Sequence, residues 1–119
     1  MEAPRMIEID LPYPPSINHY WRRVGPRTLI SREGRRFRQR VLAILADRCV
    51  QPLVGPLAVE VEAFPPDNRR RDIDNIQKAL LDALQHGSAY ADDSQIVHLV
   101  IDKREPVAGG MARVRIRNI

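Results

Sequence analysis

Between Leu57 and Phe64 the chain alternates cleanly, with Leu57, Val59, Val61 and Ala63 on one side and Glu60 and Glu62 on the other. A period of two is that of a strand with one buried and one wet face. Pro65-Pro66 closes it, because proline cannot donate to a ladder. The period then changes: Ile73, Ile76, Leu80, Ala83 and Leu84 recur at helical spacing. This predicts a helix from about Asp72 or Asp74 to His86, with Gly87 as its C-cap. A strand that hands over to an amphipathic helix restricts the chain to a layered fold of sheet and helices.

The same reading extends along the chain. Ile7 to Leu11 is a short strand ended by Pro12, Pro14 and Pro15. Ser16 to Ile30 reads as a long loop, and a loop of that length in a small domain is usually functional or partly disordered. Ser31 caps a helix whose first turn Gly34 weakens; Phe37, Val41, Ile44 and Leu45 form its apolar stripe, and it ends near Cys49. Ile96 to Lys103 is a third strand, Pro106 to Gly110 a turn, and Met111 to Ile119 a last strand with Arg113, Arg115 and Arg117 facing out. The expected fold is α/β (α+β), order β-α-β-α-β-β: a small mixed sheet with both helices on one face, 1–119 forming one domain.

The net charge of +4 and pI of about 9.8 suit a polyanionic partner. Arg22, Arg23, Arg27, Arg32, Arg35, Arg36, Arg38 and Arg40 lie together with only Glu33 opposing them, a placement that also fits a solvated helix face. A lone cysteine, Cys49, allows no internal disulfide and fits a reducing, cytosolic setting. Met1 to Asp10 carries no apolar signal core, and no run is long enough to cross a bilayer.

The chemistry concentrates in Asn68-Arg69-Arg70-Arg71-Asp72-Ile73-Asp74-Asn75, in Lys78, and in Asp92-Asp93. Arginines grip phosphate. Carboxylates clustered without a cation repel one another, and Mg²⁺ or Mn²⁺ removes that conflict. If the third strand runs beside Leu57–Phe64, Asp93 returns to the mouth of the Asp72/Asp74 pair, and three carboxylates around a metal make a phosphodiesterase site. Helix capping and turn chemistry are the competing explanations for these acids. Lys78 falls one turn after Asp74, where it either pairs with Asp74 or Asp82 or contacts a phosphate. Asn75 bonds the backbone or orients a metal water. His19, His86 and His98 show no ligand spacing, and Ser16 has no evident His–Asp partners. Tyr20 and Trp21 either pack on the sheet or stack on bases.

Three motifs in order give a resemblance. Pro14-Pro15-Ser16-Ile17-Asn18, Arg70-Arg71-Asp72-Ile73-Asp74-Asn75-Ile76-Gln77-Lys78 and Asp92-Asp93-Ser94-Gln95-Ile96 resemble the signatures of the RusA family of Holliday junction resolvases, found in bacteria and prophages. Trp21 to Ile30 has no firm counterpart there. The resemblance implies a Mg²⁺-dependent endodeoxyribonuclease, with Mn²⁺ as a substitute, that cuts four-way DNA junctions as a homodimer in recombination and repair. It implies Asp72, Asp74 and Asp93 as metal ligands, Lys78 as a catalytic residue, and neither membrane nor organic cofactor. Arg69, Arg70, Arg71, Asn18, Arg35 and Arg36 are the expected DNA contacts. Two other readings of the residues are a non-catalytic basic DNA-binding module and a metal-dependent nuclease for flap or other branched substrates.

Overall fold

The structure, a computed structural model, describes residues 6–119. The first five residues, part of the start read above as lacking a signal core, lie outside the described residues. In chain order the elements are β1 (Met6–Leu11), a one-turn helix α1 (Ile17–Tyr20), β2 (Trp21–Val24), β3 (Arg27–Ile30), α2 (Arg32–Asp47), β4 (Leu57–Phe64), a 3-10 turn (Ile73–Ile76), α3 (Gln77–His86), a second 3-10 turn (Asp93–Gln95), β5 (Ile96–Lys103) and β6 (Met111–Asn118).

Four strands form a mixed sheet in the order β1-β6-β4-β5, with β6 antiparallel to both neighbours and β5 parallel to β4. Register puts Ile9, Val114 and Val61 side by side on one face. Phe37, Val41 and Leu45 of α2 and Leu80, Ala83 and Leu84 of α3 pack onto that face, each fully buried Leu or Val contributing about 1.5–3 kcal/mol. Both helices therefore cover one side of the sheet, as the alternation predicted. The other side is an ion-pair ladder in which Arg115 bonds Glu8 and Glu62, and Arg113 bonds Asp10. Glu60 and Glu62 thus face away from the helices.

Three local expectations change. The long loop holds α1 and a separate two-stranded hairpin, β2–β3, turning at Gly25-Pro26 with Gly25 at φ 57°. Four-residue strands rich in arginine carry no alternation by which to read them. Gly34 is a packing requirement: a Cβ there would sit 2.7 Å from the Tyr20 carbonyl oxygen and 2.7 Å from Ile30 Cγ1. Ser31 accepts from the Gly34 amide at 2.9 Å, which is the predicted cap, and α2 ends at Asp47. The helix foreseen from Asp72 or Asp74 becomes α-helical only at Gln77, and Ile73 stays 41% exposed.

The β4–α3–β5 crossover positions the acids. The parallel strands start at one end of the sheet and finish at the other. Asp72 and Asp74 follow the end of β4 and Asp93 precedes the start of β5, so α3 lies between the two groups in sequence.

Candidate active site

After Pro65-Pro66 the chain is organised by Asp67. Its carboxylate accepts from the Arg71 guanidinium at 2.6 Å and from the Arg69 amide at 2.9 Å, and these bonds, Arg71's first, hold its pKa at about 2. Arg71 also lies 5.9 Å from the centroid of the Tyr13 ring, and its carbonyl accepts from Lys103 at the far end of β5 (3.0 Å). Arg71 is therefore a structural tie. Arg69 pairs with Asp67 only at 3.8 Å and keeps 84% of its side chain exposed, and Arg70 is exposed beside it, so both guanidinium groups can reach a phosphate.

This segment forms one wall of a cleft of about 620 Å³, with Arg69 to Asp72, Asn75 and Ile76 facing Tyr13, Pro14, Ser16 and His19. Two motifs far apart in sequence thus share one cavity. Ser16 Oγ lies 3.1 Å from His19 Nδ1, a partner that the sequence did not disclose. The pair is exposed and local, and among the described residues no carboxylate bonds the imidazole, so it lacks the third member of a nucleophilic triad.

The carboxylates divide into two kinds. Asp67 is tied to Arg71, Asp82 to Arg38 and Tyr20, and Asp92 caps the second 3-10 turn in a capping box with Gln95. Asp72 stands at the start of the first 3-10 turn, yet its side chain makes no capping bond. The side chains of Asp72 and Asp74 are exposed and hold no hydrogen bond or ion pair among the described residues. Asp93 is half-buried, and its Oδ1 is buried without any hydrogen-bond partner. Burial pushes the Asp93 carboxyl above its ordinary range, nearby Tyr90 and Lys78 pull it back, and Asp82 and Asp92 add to the rise. Tyr90 leaves Asp93 Oδ1 unsatisfied because its hydroxyl proton is donated to the Leu81 carbonyl at 2.7 Å. Lys78 stays exposed on the flank of α3 that faces Asp93 and makes no ion pair among the described residues.

Hard, unpartnered carboxylate oxygens are the donor set that Mg²⁺ takes. Among the described residues no three His, Cys, Asp or Glu side chains are placed to hold one ion. Asp93 nevertheless feels the charge of Lys78, which stands in the first turn of α3, directly after the 3-10 turn that holds Asp74.

Comparison with known proteins now decides the kinship. The family model for Endodeoxyribonuclease RusA matches residues 12–117. The chain belongs to the RusA family. It is 39% identical to the crossover junction endodeoxyribonuclease RusA of Shigella sonnei (strain Ss046) and 38% identical to that of Escherichia coli (strain K12), each over 109 residues and 91% of both chains. It is 39% identical over 110 residues to the enzyme of the same name from Enterobacteria phage HK97, covering 92% of both chains.

On this RusA-family chain the remaining expected contacts are spread out. Asn18 is exposed beside the cleft but does not line it. Arg36 lines a neighbouring groove with Glu33 and Arg40, whereas Arg35 donates to the Ile30 carbonyl (3.0 Å). Tyr20, weighed above as a base-stacking residue, is fully buried and donates to Asp82. His86 and His98 are exposed and take no part in the cleft. The Arg38–Asp82–Tyr20 cluster joins α2, α3 and α1, and sequence spacing gave no sign of it beyond Asp82 standing one turn after Lys78.

Proposed function

We propose that this chain is a Mg²⁺-dependent, structure-specific endodeoxyribonuclease that resolves four-way DNA junctions by paired cuts, acting as a cytoplasmic homodimer with residues 1–119 as one domain. One observation carries the reading. Among the described residues the carboxylates of Asp72 and Asp74 make no hydrogen bond or ion pair and Asp93 Oδ1 is buried without a donor, while the carboxylates of Asp67, Asp82 and Asp92 are all committed. The assignment of Asp72, Asp74 and Asp93 as ion ligands matches the motifs shared with the family, and Mn²⁺ suits the same oxygens. The ion's chemistry there is to polarise the phosphate and lower the pKa of a water. Lys78 neutralises charge that develops on the phosphate. Arg69 and Arg70 hold the strand, Arg71 fixes their loop through Asp67, and Asn18, Arg35 and Arg36 extend the phosphate track.

A homodimer supplies two copies of the site related by a two-fold axis. The same axis matches the pseudo-two-fold of a four-way junction.

The test is a synthetic junction incubated with and without Mg²⁺ and read on a denaturing gel. Mg²⁺-dependent paired cuts by the wild type, none by Asp74→Asn, and retained junction binding by that variant are expected. Full cutting by Asp74→Asn removes the assigned role, and equal cutting of linear duplex moves the chain to another substrate class. Mixing Asp74→Asn with Asp93→Asn chains then tests whether each site is built within one chain. A heterodimer with sites built from two chains keeps one intact and nicks the junction, whereas sites built within one chain leave it inert.

A further inference from the structure

The β2–β3 hairpin is unassigned by anything above. It pairs with no strand of the main sheet, and residues 22–29 are all exposed. A Cβ built on Gly25 at its tip meets nothing within 4 Å, so the tip stands clear of the rest of the chain. Its register pairs Arg22 with Leu29 and Val24 with Arg27. Cross-strand partners share a face, so one face carries Arg22 and Arg27 on one diagonal and Val24 and Leu29 on the other. The apolar pair is 43% and 44% exposed. Arg23 projects from the opposite face, beside Thr28. No acidic residue occurs from Trp21 to Arg32, and Arg22, Arg23 and Arg27 make no ion pair among the described residues.

The base of the hairpin, in contrast, is fixed. The Ser31 amide donates to the Tyr20 carbonyl at 2.8 Å, and the Ser31 hydroxyl donates to the His19 carbonyl. The Trp21 ring meets the Tyr20 ring edge-on at 5.0 Å, and Tyr20 is bonded to Asp82 on α3. The ribbon is thus held at its root against the helix that carries Lys78, and is free at its tip.

We propose that β2–β3 is a DNA-reading ribbon that lies in the groove of a duplex arm flanking the branch point, with Arg22 and Arg27 on phosphates and Val24 and Leu29 against the groove floor. A four-residue strand spans about 13 Å, and the major groove of B-DNA, about 12 Å wide, admits a two-stranded ribbon. Alternating cations and apolar side chains match the walls and floor of such a groove, where thymine methyls offer apolar contact. An unsupported two-stranded ribbon is marginally stable in water, so a groove that covers its exposed face also orders it. The inference rests on the reading of the chain as a DNA enzyme and assigns the contact that grips the arm.

The experiment measures binding of the full chain to a four-way junction without divalent metal, across a series of salt concentrations. Arg22→Ala/Arg27→Ala is expected to flatten the dependence of log affinity on log salt by about 1.8, at roughly 0.9 for each phosphate no longer neutralised. The double Arg→Lys variant should keep the wild-type slope. Val24→Ser/Leu29→Ser should weaken binding with no change of slope. A wild-type slope and affinity in the double alanine variant, with its circular dichroism unchanged, overturns the proposal. A weakened double lysine variant with an unchanged slope overturns it as well, since that points to a damaged fold and not to phosphates left unpaired. Cleavage with Mg²⁺ is scored separately. A wild type that binds with the predicted slope yet makes no product sinks the nuclease reading and leaves the ribbon standing.

Discussion

The hydroxyl of Tyr20, at the root of the hairpin, donates to the carboxylate of Asp82 on α3, 62 residues along the chain, and Arg38 of α2 closes the cluster by bonding both. Three elements, α1, α2 and α3, are pinned at one point. Only about a fifth to a quarter of each charged side chain is exposed, so the cluster sits between a surface pair and a buried one.

Asp82→Ala should therefore destabilise the fold by about 2 kcal/mol, below the 3–5 of a fully buried pair because solvent reaches both partners. Tyr20→Phe, which removes one hydrogen bond but keeps the buried ring, should cost about 1 kcal/mol. Urea denaturation of both variants checks the order; equal losses would show that the ion pair adds nothing beyond the phenol.

Acid sensitivity follows from two carboxylates. Asp67 is held at about 2 by Arg71 and by the Arg69 amide. Burial works to raise Asp82, but hydrogen bonds from Tyr20 and Arg38 prevail and hold it below 3.8. Folded values lower than unfolded ones mean stability that is present above 3.8 and lost as pH falls through the folded values. Thermal unfolding followed from about pH 5 to 2 should show a falling midpoint below about 4. Asp67→Asn combined with Asp82→Asn should flatten that fall.

Asp93 should show the opposite sign. Its buried Oδ1 has no donor, so ionising it costs the fold. Asp93→Asn should raise the melting temperature at neutral pH in chelator while ending cleavage. A lower melting temperature would show that the carboxylate has a structural partner.

Lys78→Ala should slow cleavage by about 100-fold while leaving junction affinity nearly unchanged, the pattern of a donor used in the transition state. Lys78 makes no ion pair among the described residues, so its loss should leave the melting temperature unchanged.

Gly34→Ala should destabilise by about 1–3 kcal/mol, because the added methyl meets a backbone oxygen that cannot move aside. Weakened junction binding in the same variant would follow from a displaced hairpin root.

Periodicity disclosed the sheet-forming strands because each has one wet and one dry side; Leu57–Phe64 and Phe37–Leu45 fall where their patterns put them. It could not disclose β2–β3, which is exposed all round and so carries no alternation. The acids were legible as types and spacings; the family resemblance set Asp93 apart from Asp92, and the capping bond of Asp92 supplies the physical reason. The nearness of Asp93 to Lys78 was not legible from spacing, because it depends on how the chain returns after α3. The Arg38–Asp82–Tyr20 cluster joins residues with no shared pattern, so only folding brings them into view.

The seat of Asp93 has a consequence for the resting chain. Burial resists its negative charge while the ammonium group of Lys78 favours it, so part of the electrostatic strain there is already relieved before any other cation arrives.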